Sequence, residues 1–381
     1  MDIDIGVVIH GPGIVDSGYA EKILDILREF SEIYGVDIEI TAKVGGNMGR
    51  VAVIDKGLED VIDVSERLYP SQCLRRLGDK DILLLLNYGK SKETGHTFGR
   101  MVVERAGVDK PVIQIERPGE EDGSILIWGS KCCSKDIKVI LDRLVSYISE
   151  RLGLEVEECI GGRLSVWEEG NRVFRKIDTV DTGEDILVNG VVVGRVLRKP
   201  VVLVSERGRI VEIVNGEIKR DGVERLGYVD LKKVIVKTGV LRKGSPRDVD
   251  RRRFTSDNPL GDVLIIDRGD VDILGELRSR NISTVITVGS DTTLILGSIL
   301  SRFKVKVIGI VDEDIHRHKL LEDMGITEGS RIFLVKNWRC SQVGKLLMEH
   351  LKGRKLSYGY TLKYLIDLLE KYKVVYEILN F

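Results

Sequence analysis

Four glycine-rich turns punctuate the first third of the chain, and each carries side chains that can hold or move charge. They are His10-Gly11-Pro12-Gly13, then Val44-Gly45-Gly46-Asn47-Met48-Gly49-Arg50, then Asn87-Tyr88-Gly89-Lys90-Ser91 running on to Thr94-Gly95-His96, and Glu116-Arg117-Pro118-Gly119. Glycine lets backbone N–H groups approach an oxyanion closely, and a helix start adds partial positive charge. Gly11, Gly13, Gly45, Gly46 and Asn47 are therefore candidate ligand-binding positions, with Arg50, Lys90 and Arg117 supplying full charges. The natural complement is an anionic ligand, phosphorylated or carboxylated. His10 and His96 are the candidate acid–base groups, and a hydrogen-bonded structural histidine is the competing account of each. Gly89-Lys90-Ser91 has the ending of a phosphate-binding P-loop, but the motif's first glycine would fall on Leu84, inside an apolar run, so that reading fails. No G-x-G-x-x-G follows the first apolar run either, which weakens a dinucleotide-binding reading.

A second constellation stands near the end of the chain. An apolar run closes in Gly289-Ser290-Asp291-Thr292-Thr293 and leads into an apolar helix; the next run ends in Val311-Asp312-Glu313-Asp314, with His316 and His318 beyond. Asp291, Thr292 and Thr293 are candidate phosphate-binding residues, and Asp312 and Asp314 a candidate Mg²⁺ pair, because hydroxyls at a helix start suit phosphate and carboxylates suit a hydrated divalent cation. At the level of fold alone the order resembles the Gly-Gly-Asp-Gly-Thr turn of NAD and lipid kinases and the Asp-x-Asp of topoisomerase–primase domains. Helix N-capping by Ser290 or Asp291, and by Asp312 or Asp314, is the competing account. The two histidines are two apart, which does not place them on one helix face.

These turns need rigid elements to position them. Short, largely apolar runs over 5–9, 36–40, 82–86, 112–115 and 125–128 alternate with helical periodicity, including a helix from Asp16 or Ser17 to Tyr34 and one over 134–152. That alternation predicts a parallel sheet covered on both faces. From about Leu154 the punctuation changes to Glu169-Gly170-Asn171, Asn189-Gly190, Arg207-Gly208 and Asn215-Gly216 between runs rich in valine and isoleucine, the signal of antiparallel hairpins. Apolar runs with helical patterns return over 263–266, 284–288, 306–310 and 332–335, followed by a helical tail over 356–379. The expected fold class is α/β, with two parallel-sheet, Rossmann-like lobes separated by a β-rich antiparallel module. The expected domains are 1–153, 154–241, a charged linker over 242–260, and 261–381. The linker holds Arg242, Lys243, Arg247 and Arg251 to Arg253; it reads as a solvated connection or as a contact for RNA.

Composition bounds the function. Lys plus Arg number 59 against 60 for Asp plus Glu, a balance that argues against a dedicated nucleic-acid binder. Charged residues make up 31% while glutamine occurs only at Gln72, Gln114 and Gln342, which points to a thermophilic source. Five scattered cysteines fit reduced thiols, no run is long enough to cross a bilayer, and the start lacks a secretory pattern, so the expected location is cytoplasmic. The C-terminal helix is a candidate surface for homo-oligomerisation.

The stretches VIHGPGIVDSG, VGGNMGRVAVID, LLNYGKSKETGHTFG, PVIQIERPG, GEDILVNGVVVG and VGSDTT…VIGIVDED span most of the chain. They resemble an archaeal family, well represented in methanogens and known as a domain of unknown function. The resemblance implies an acid where Ser290 stands and a glycine where Glu313 stands, so this chain departs from the family in the turn assigned to metal. The combined expectation is an archaeal protein that binds a phosphorylated small molecule or nucleotide with Mg²⁺, as a phosphoryl- or nucleotidyl-handling enzyme. A non-catalytic metabolite sensor is the alternative, and an RNA-contacting protein a third reading.

Overall fold

The computed structural model describes residues 2–129, 134–160, 165–234, 236–239, 260–267, 271–312 and 325–381. The chain divides into two compact units, Met1–Ser165 and Val166–Phe381.

Unit 1 runs β1 (Asp2–His10), α1 (Gly13–Asp16), α2 (Tyr19–Tyr34), β2 (Asp37–Gly45), α3 (Asn47–Lys56), α4 (Pro70–Arg76), β3 (Ile82–Asn87), α5 (Lys92–Ala106), β4 (Val112–Glu116), β5 (Ser124–Trp128), α6 (Lys135–Leu152) and β6 (Glu155–Val156). Its six strands form one sheet in the order β2-β1-β3-β4-β5-β6. β2, β1, β3 and β4 are parallel to one another, as the alternation of largely apolar runs with helices predicts. β5 departs from that expectation and pairs antiparallel with β4, because the connection over 117–123 is too short for a parallel crossover.

Side chains alternate across the sheet. Ile3, Ile5, Val7 and Ile9 of β1, with Ile82, Leu84 and Leu86 of β3 and Ile113 and Ile115 of β4, bury against α2 and α6. Val8, Leu83, Leu85 and Val112 point to the opposite face and bury against Cys73, Leu74 and Leu77 and against Val102 and Ala106 of α5. The helix expected from Asp16 or Ser17 begins later, at Tyr19 behind Gly18, with the short α1 before it. The second strand is longer than its apolar run, since Thr41 to Gly45 continue the pairing with β1 as far as His10.

Unit 2 opens with β7 (Val166–Glu169), β8 (Arg172–Ile177), β9 (Asp185–Val188), β10 (Val191–Val196), β11 (Val201–Glu206), β12 (Arg209–Val214), β13 (Gly216–Ile218), α7 (Arg220–Leu226) and β14 (Val236–Gly239). They form two antiparallel four-stranded sheets, β13-β10-β9-β14 and β12-β11-β8-β7, around a shared core that includes Ile186, Val188 and Val193 of one and Val201, Leu203 and Ile210 of the other. The hairpin turns sit where the Asn-Gly and Arg-Gly pairs predict; helix α7 was not expected, its pattern being interrupted by Gly222.

The rest of unit 2 is β15 (Gly261–Ile266), α8 (Ile273–Ser279), β16 (Ile282–Val288), α9 (Ser290–Ser301), β17 (Val307–Asp312), β18 (Arg331–Val335), α10 (Cys340–Leu351), β19 (Lys355–Leu356), α11 (Tyr358–Lys371) and β20 (Tyr376–Asn380). The sheet order is β19-β15-β16-β17-β18-β20, parallel from β15 to β18 with antiparallel strands at both edges. The tail is thus a helix followed by an edge strand rather than helix throughout: buried Val374 follows the positive-φ Lys373, and β20 then pairs with β18. The protein is mixed α/β, with parallel-containing sheets in both units and separate antiparallel sheets in the second. Of the charged segment 242–260, only Leu260 lies within the described residues.

Candidate functional site

The four N-terminal turns do meet at one rim. Gly45, His10, Asn87 and Glu116 close β2, β1, β3 and β4 and stand side by side in register. The turns also touch. A Cβ built on Gly49 of α3 would lie 3.6 Å from the Gly11 backbone, and one on Gly13 would lie 3.4 Å from Cβ of Tyr88. Between β1 and β3 the sheet order reverses. The chain leaving β1 enters α2 on one face, and the chain leaving β3 enters α5 on the other. Such a switch point opens a crevice beyond the strand ends.

A chain of polar side chains crosses this point. His10 Nδ1 lies 2.7 Å from Asn87 Oδ1, and Asn87 Nδ2 donates to Glu116 Oε2 at 2.7 Å. Glu116 is fully buried; Gln114 Nε2 donates to its Oε2 at 2.9 Å and the Gly89 N–H to its Oε1 at 2.7 Å. Burial pushes the Glu116 carboxyl above the usual carboxylate range, against the downward pull of the bonds from Asn87, Gly89 and Gln114. The His10 ring stacks on Phe98 of α5, centroids 4.1 Å apart.

The local sequence explains why two such polar groups lie buried here. Residues 114 and 116 share the face of β4 turned toward α5, and α5 presents Gly95 and Gly99 there. A Cβ on Gly95 would lie 2.5 Å from Glu116 Oε2, and one on Gly99 2.7 Å from Gln114 Nε2. Two glycines one helical turn apart therefore make the room, and Gln114 ties back to the Gly95 carbonyl at 2.9 Å. Thr94, Gly95 and His96, expected in a turn, are the first turns of α5, which Ser91 and Thr94 close in a capping box.

The remaining candidates separate into rim and frame. Gly11, Gly13, Gly46 and Asn47 line the rim half-exposed, Gly45 is buried behind them and Lys90 is exposed. Gly46, at φ 74° and with no side chain to cap α3, stands directly before that helix's first N–H groups. Arg50 is fully buried, its Nε donating to the Val64 carbonyl at 2.9 Å, which makes it a brace for the connection after α3. Arg117 donates from Nε to Asp122 at 2.8 Å and from NH1 to the Gly89 carbonyl at 2.5 Å; it pins two of the turns. That guanidinium, ahead of other effects, holds the Asp122 carboxyl below its ordinary value. His96 is fully buried, with Nε2 2.8 Å from Ser124 Oγ and Nδ1 accepting from the Ile160 N–H at 3.2 Å; burial lowers its basicity. It fastens the segment after β6 to α5.

In unit 2, β16 and β17 are neighbours, so the turn holding Asp291 to Thr293 adjoins the end bearing Asp312, as expected. Each side chain has a structural partner. Asp291 is buried and paired with Lys219, with Arg225 NH2 at 3.9 Å. Arg225 NH1 donates to Thr292 Oγ1 at 3.2 Å and to the Asp267 carbonyl at 3.1 Å. Thr293 Oγ1 meets Thr287 Oγ1 at 2.8 Å. Asp312 takes the Cys340 N–H on Oδ1 at 2.7 Å and the Cys340 thiol on Oδ2 at 3.1 Å, and so caps α10. Asp314, His316 and His318 lie outside the described residues. Among the described residues no three His, Cys, Asp or Glu side chains converge as a metal-binding group.

Sequence reasoning passed over Phe98, Gln114, the side chains of Asn87 and Glu116, and the pair Lys219 and Arg225. The available signal for Gln114 and Glu116 was two polar residues on one face of an otherwise apolar strand, together with glycines spaced i, i+4 in the preceding helix.

Residues 7–355 match the family described as an uncharacterized protein conserved in archaea, DUF2117. The chain belongs to this family. It is the one that the quoted stretches resemble. A relative, an uncharacterized protein of Methanocaldococcus jannaschii, is 48% identical over 367 residues, covering 96% of each chain. Among solved structures, Aa-Ago with externally bound siRNA aligns over 88% of this chain and 36% of its own, at 10% identity and a TM-score of 0.18, too slight a likeness to bear on fold or function. Among the described residues no helix is long and apolar enough to cross a membrane.

Proposed function

We propose that unit 1 is a Rossmann-like lobe that binds a small anionic metabolite, phosphorylated or a nucleotide, in the crevice between the carboxyl ends of β1 and β3. The observation that carries this reading is the order β2-β1-β3-β4 with helices leaving β1 and β3 on opposite faces, which sets His10, Gly11 and Asn87 at the switch point. Two further features support it. Gly46 brings the uncapped start of α3 to the same rim, where a helix N-terminus favours an anion. Exposed Lys90 adds a full charge on the neighbouring turn.

The proposed ligand set is His10, Gly11, Gly13, Gly46, Asn47 and Lys90; Arg50, Arg117 and His96 frame it. A thermal-shift screen of nucleotides and phosphorylated metabolites, with and without Mg²⁺, tests the reading. Stabilisation by a member of the panel that is lost in Gly46→Val supports it, since ligand binding to the native state alone raises stability. A panel without effect at millimolar concentration refutes it.

A further inference from the structure

The parallel sheet of unit 2 carries a helix start of its own kind. Helix α9 follows β16 through Gly289, whose φ of 98° turns the chain sharply and which brings no side chain to cap the helix. The first helical residue is Ser290. Only 8% of it is exposed, yet among the described residues its hydroxyl meets no donor or acceptor. Leaving a buried hydroxyl unpaired is costly, so such a group points to a missing partner. Side chains of a helix lean toward its N-terminus, which sets the Ser290 hydroxyl over the N–H groups of the first turn. The neighbouring side chains are engaged otherwise. Thr292 is bonded to Arg225, Thr293 to Thr287, and Asp291 is paired with Lys219.

We propose that the start of α9 is a second anion site, built from the Ser290 hydroxyl and the N–H groups of Ser290 and Thr292, and that it takes the carboxylate of a small organic acid. The charge balance sets the class of ligand. A helix N-terminus contributes the equivalent of roughly half a positive charge. The two cations beside the turn are matched by acids, Lys219 by Asp291 and Arg225 by Asp221, and add little to it. That suits one negative charge. Asp291 and, at the end of neighbouring β17, Asp312 oppose a second. A carboxylate has two oxygens to offer, one to the hydroxyl and one to the amides. The site belongs to unit 2 and stands independently of the anion reading of unit 1.

The test is ¹H–¹⁵N NMR of the full chain titrated with sodium formate, the simplest carboxylate, with sodium chloride holding the ionic strength constant. The Ser290 and Thr292 amides should shift together and saturate with one Kd. Ser290→Ala removes only the hydroxyl and should weaken that Kd about tenfold or more, the range for a hydrogen bond to a charged group. Ser290→Asp tethers a carboxylate to the same donors and should abolish the response, while its amide spectrum elsewhere stays that of the folded chain. Shifts that do not saturate, or a Kd unchanged by Ser290→Ala, overturn the proposal. A formate response that persists in Ser290→Asp does the same. Inorganic phosphate saturating these amides where formate does not also overturns it, because the turn would then be a phosphate site.

Discussion

Replacing Gly95 with alanine tests whether the space around Glu116 is what this glycine supplies. In an unconstrained helix interior the change favours folding by about 1 kcal/mol, the difference in helix propensity. Here the added methyl lies 2.5 Å from Glu116 Oε2 and closer still to its carboxyl carbon. Glu116 is fully buried and tied to Asn87, Gln114 and Gly89, so it has no open direction in which to move. Overpacking of this kind costs roughly 1–3 kcal/mol, and each buried partner that loses its bond adds about 1–3 kcal/mol. With one such bond lost, the net effect after the propensity gain is a destabilisation of about 2 kcal/mol or more. For a unit of this size it lowers the unfolding temperature by roughly 4–8 °C. Differential scanning calorimetry of the full chain reads the shift in the unit 1 transition. Gly359→Ala is the matched control, because Gly359 lies in α11 with nothing within 4 Å of its Cβ position; that change should be neutral or stabilise by up to about 1 kcal/mol. Gly95→Ala behaving like Gly359→Ala would refute the reasoning.

Arg225→Lys should destabilise unit 2 by about 3 kcal/mol in urea unfolding, since a lysine cannot reach Asp221, Thr292 and the Asp267 carbonyl together and leaves buried Asp291 less compensated; an unchanged midpoint contradicts that role. Asp312→Ala should cost about 1 kcal/mol equally in EDTA and in Mg²⁺, as expected of a residue that holds the first N–H of α10; a cost seen only in Mg²⁺ would instead assign Asp312 to the cation. Burial raises the Asp63 carboxyl, but bonds from Lys43 and Ser65 outweigh it and bring it to about 2, below the ordinary 3.8. Its contribution is complete above pH 3.8 and is lost as pH falls through about 2, so Asp63→Asn should flatten the acid limb of stability between those values, measured by urea unfolding at stepped pH. An acid limb as steep as that of the unaltered protein counts against it.

The central strands of both α/β sheets were legible because most are short, largely apolar runs bounded by turns, Ile82 to Leu86 being the clearest. What such runs do not encode is direction. β5 is antiparallel because the connection before it is short, and β20 pairs antiparallel at the other sheet's edge, both properties of the assembled sheet. The site was half legible. Glycines and His10 marked the strand ends that the fold brings to one rim, since turn chemistry is local. The roles of Arg50, Arg117 and His96 were not, because a charged side chain next to glycine reads the same whether it faces a ligand or a buried carbonyl. Glu116 was placed in a turn, although it is the last residue of β4; its partners Asn87 and Gly89 come from β3 and the turn after it, which only the paired strands bring together. In unit 2, Lys219 and Arg225 lie some seventy positions from Asp291, and only the folded chain brings them to it.

The central claim, that unit 1 holds an anion between the carboxyl ends of β1 and β3, is tested most directly by locating one. Crystals grown with tungstate, a heavy oxyanion, would show it by anomalous scattering. The account predicts a peak within hydrogen-bonding reach of the Gly46 and Asn47 N–H groups and of His10. Tungstate bound only at surface lysines and arginines, with none at this rim, would contradict it.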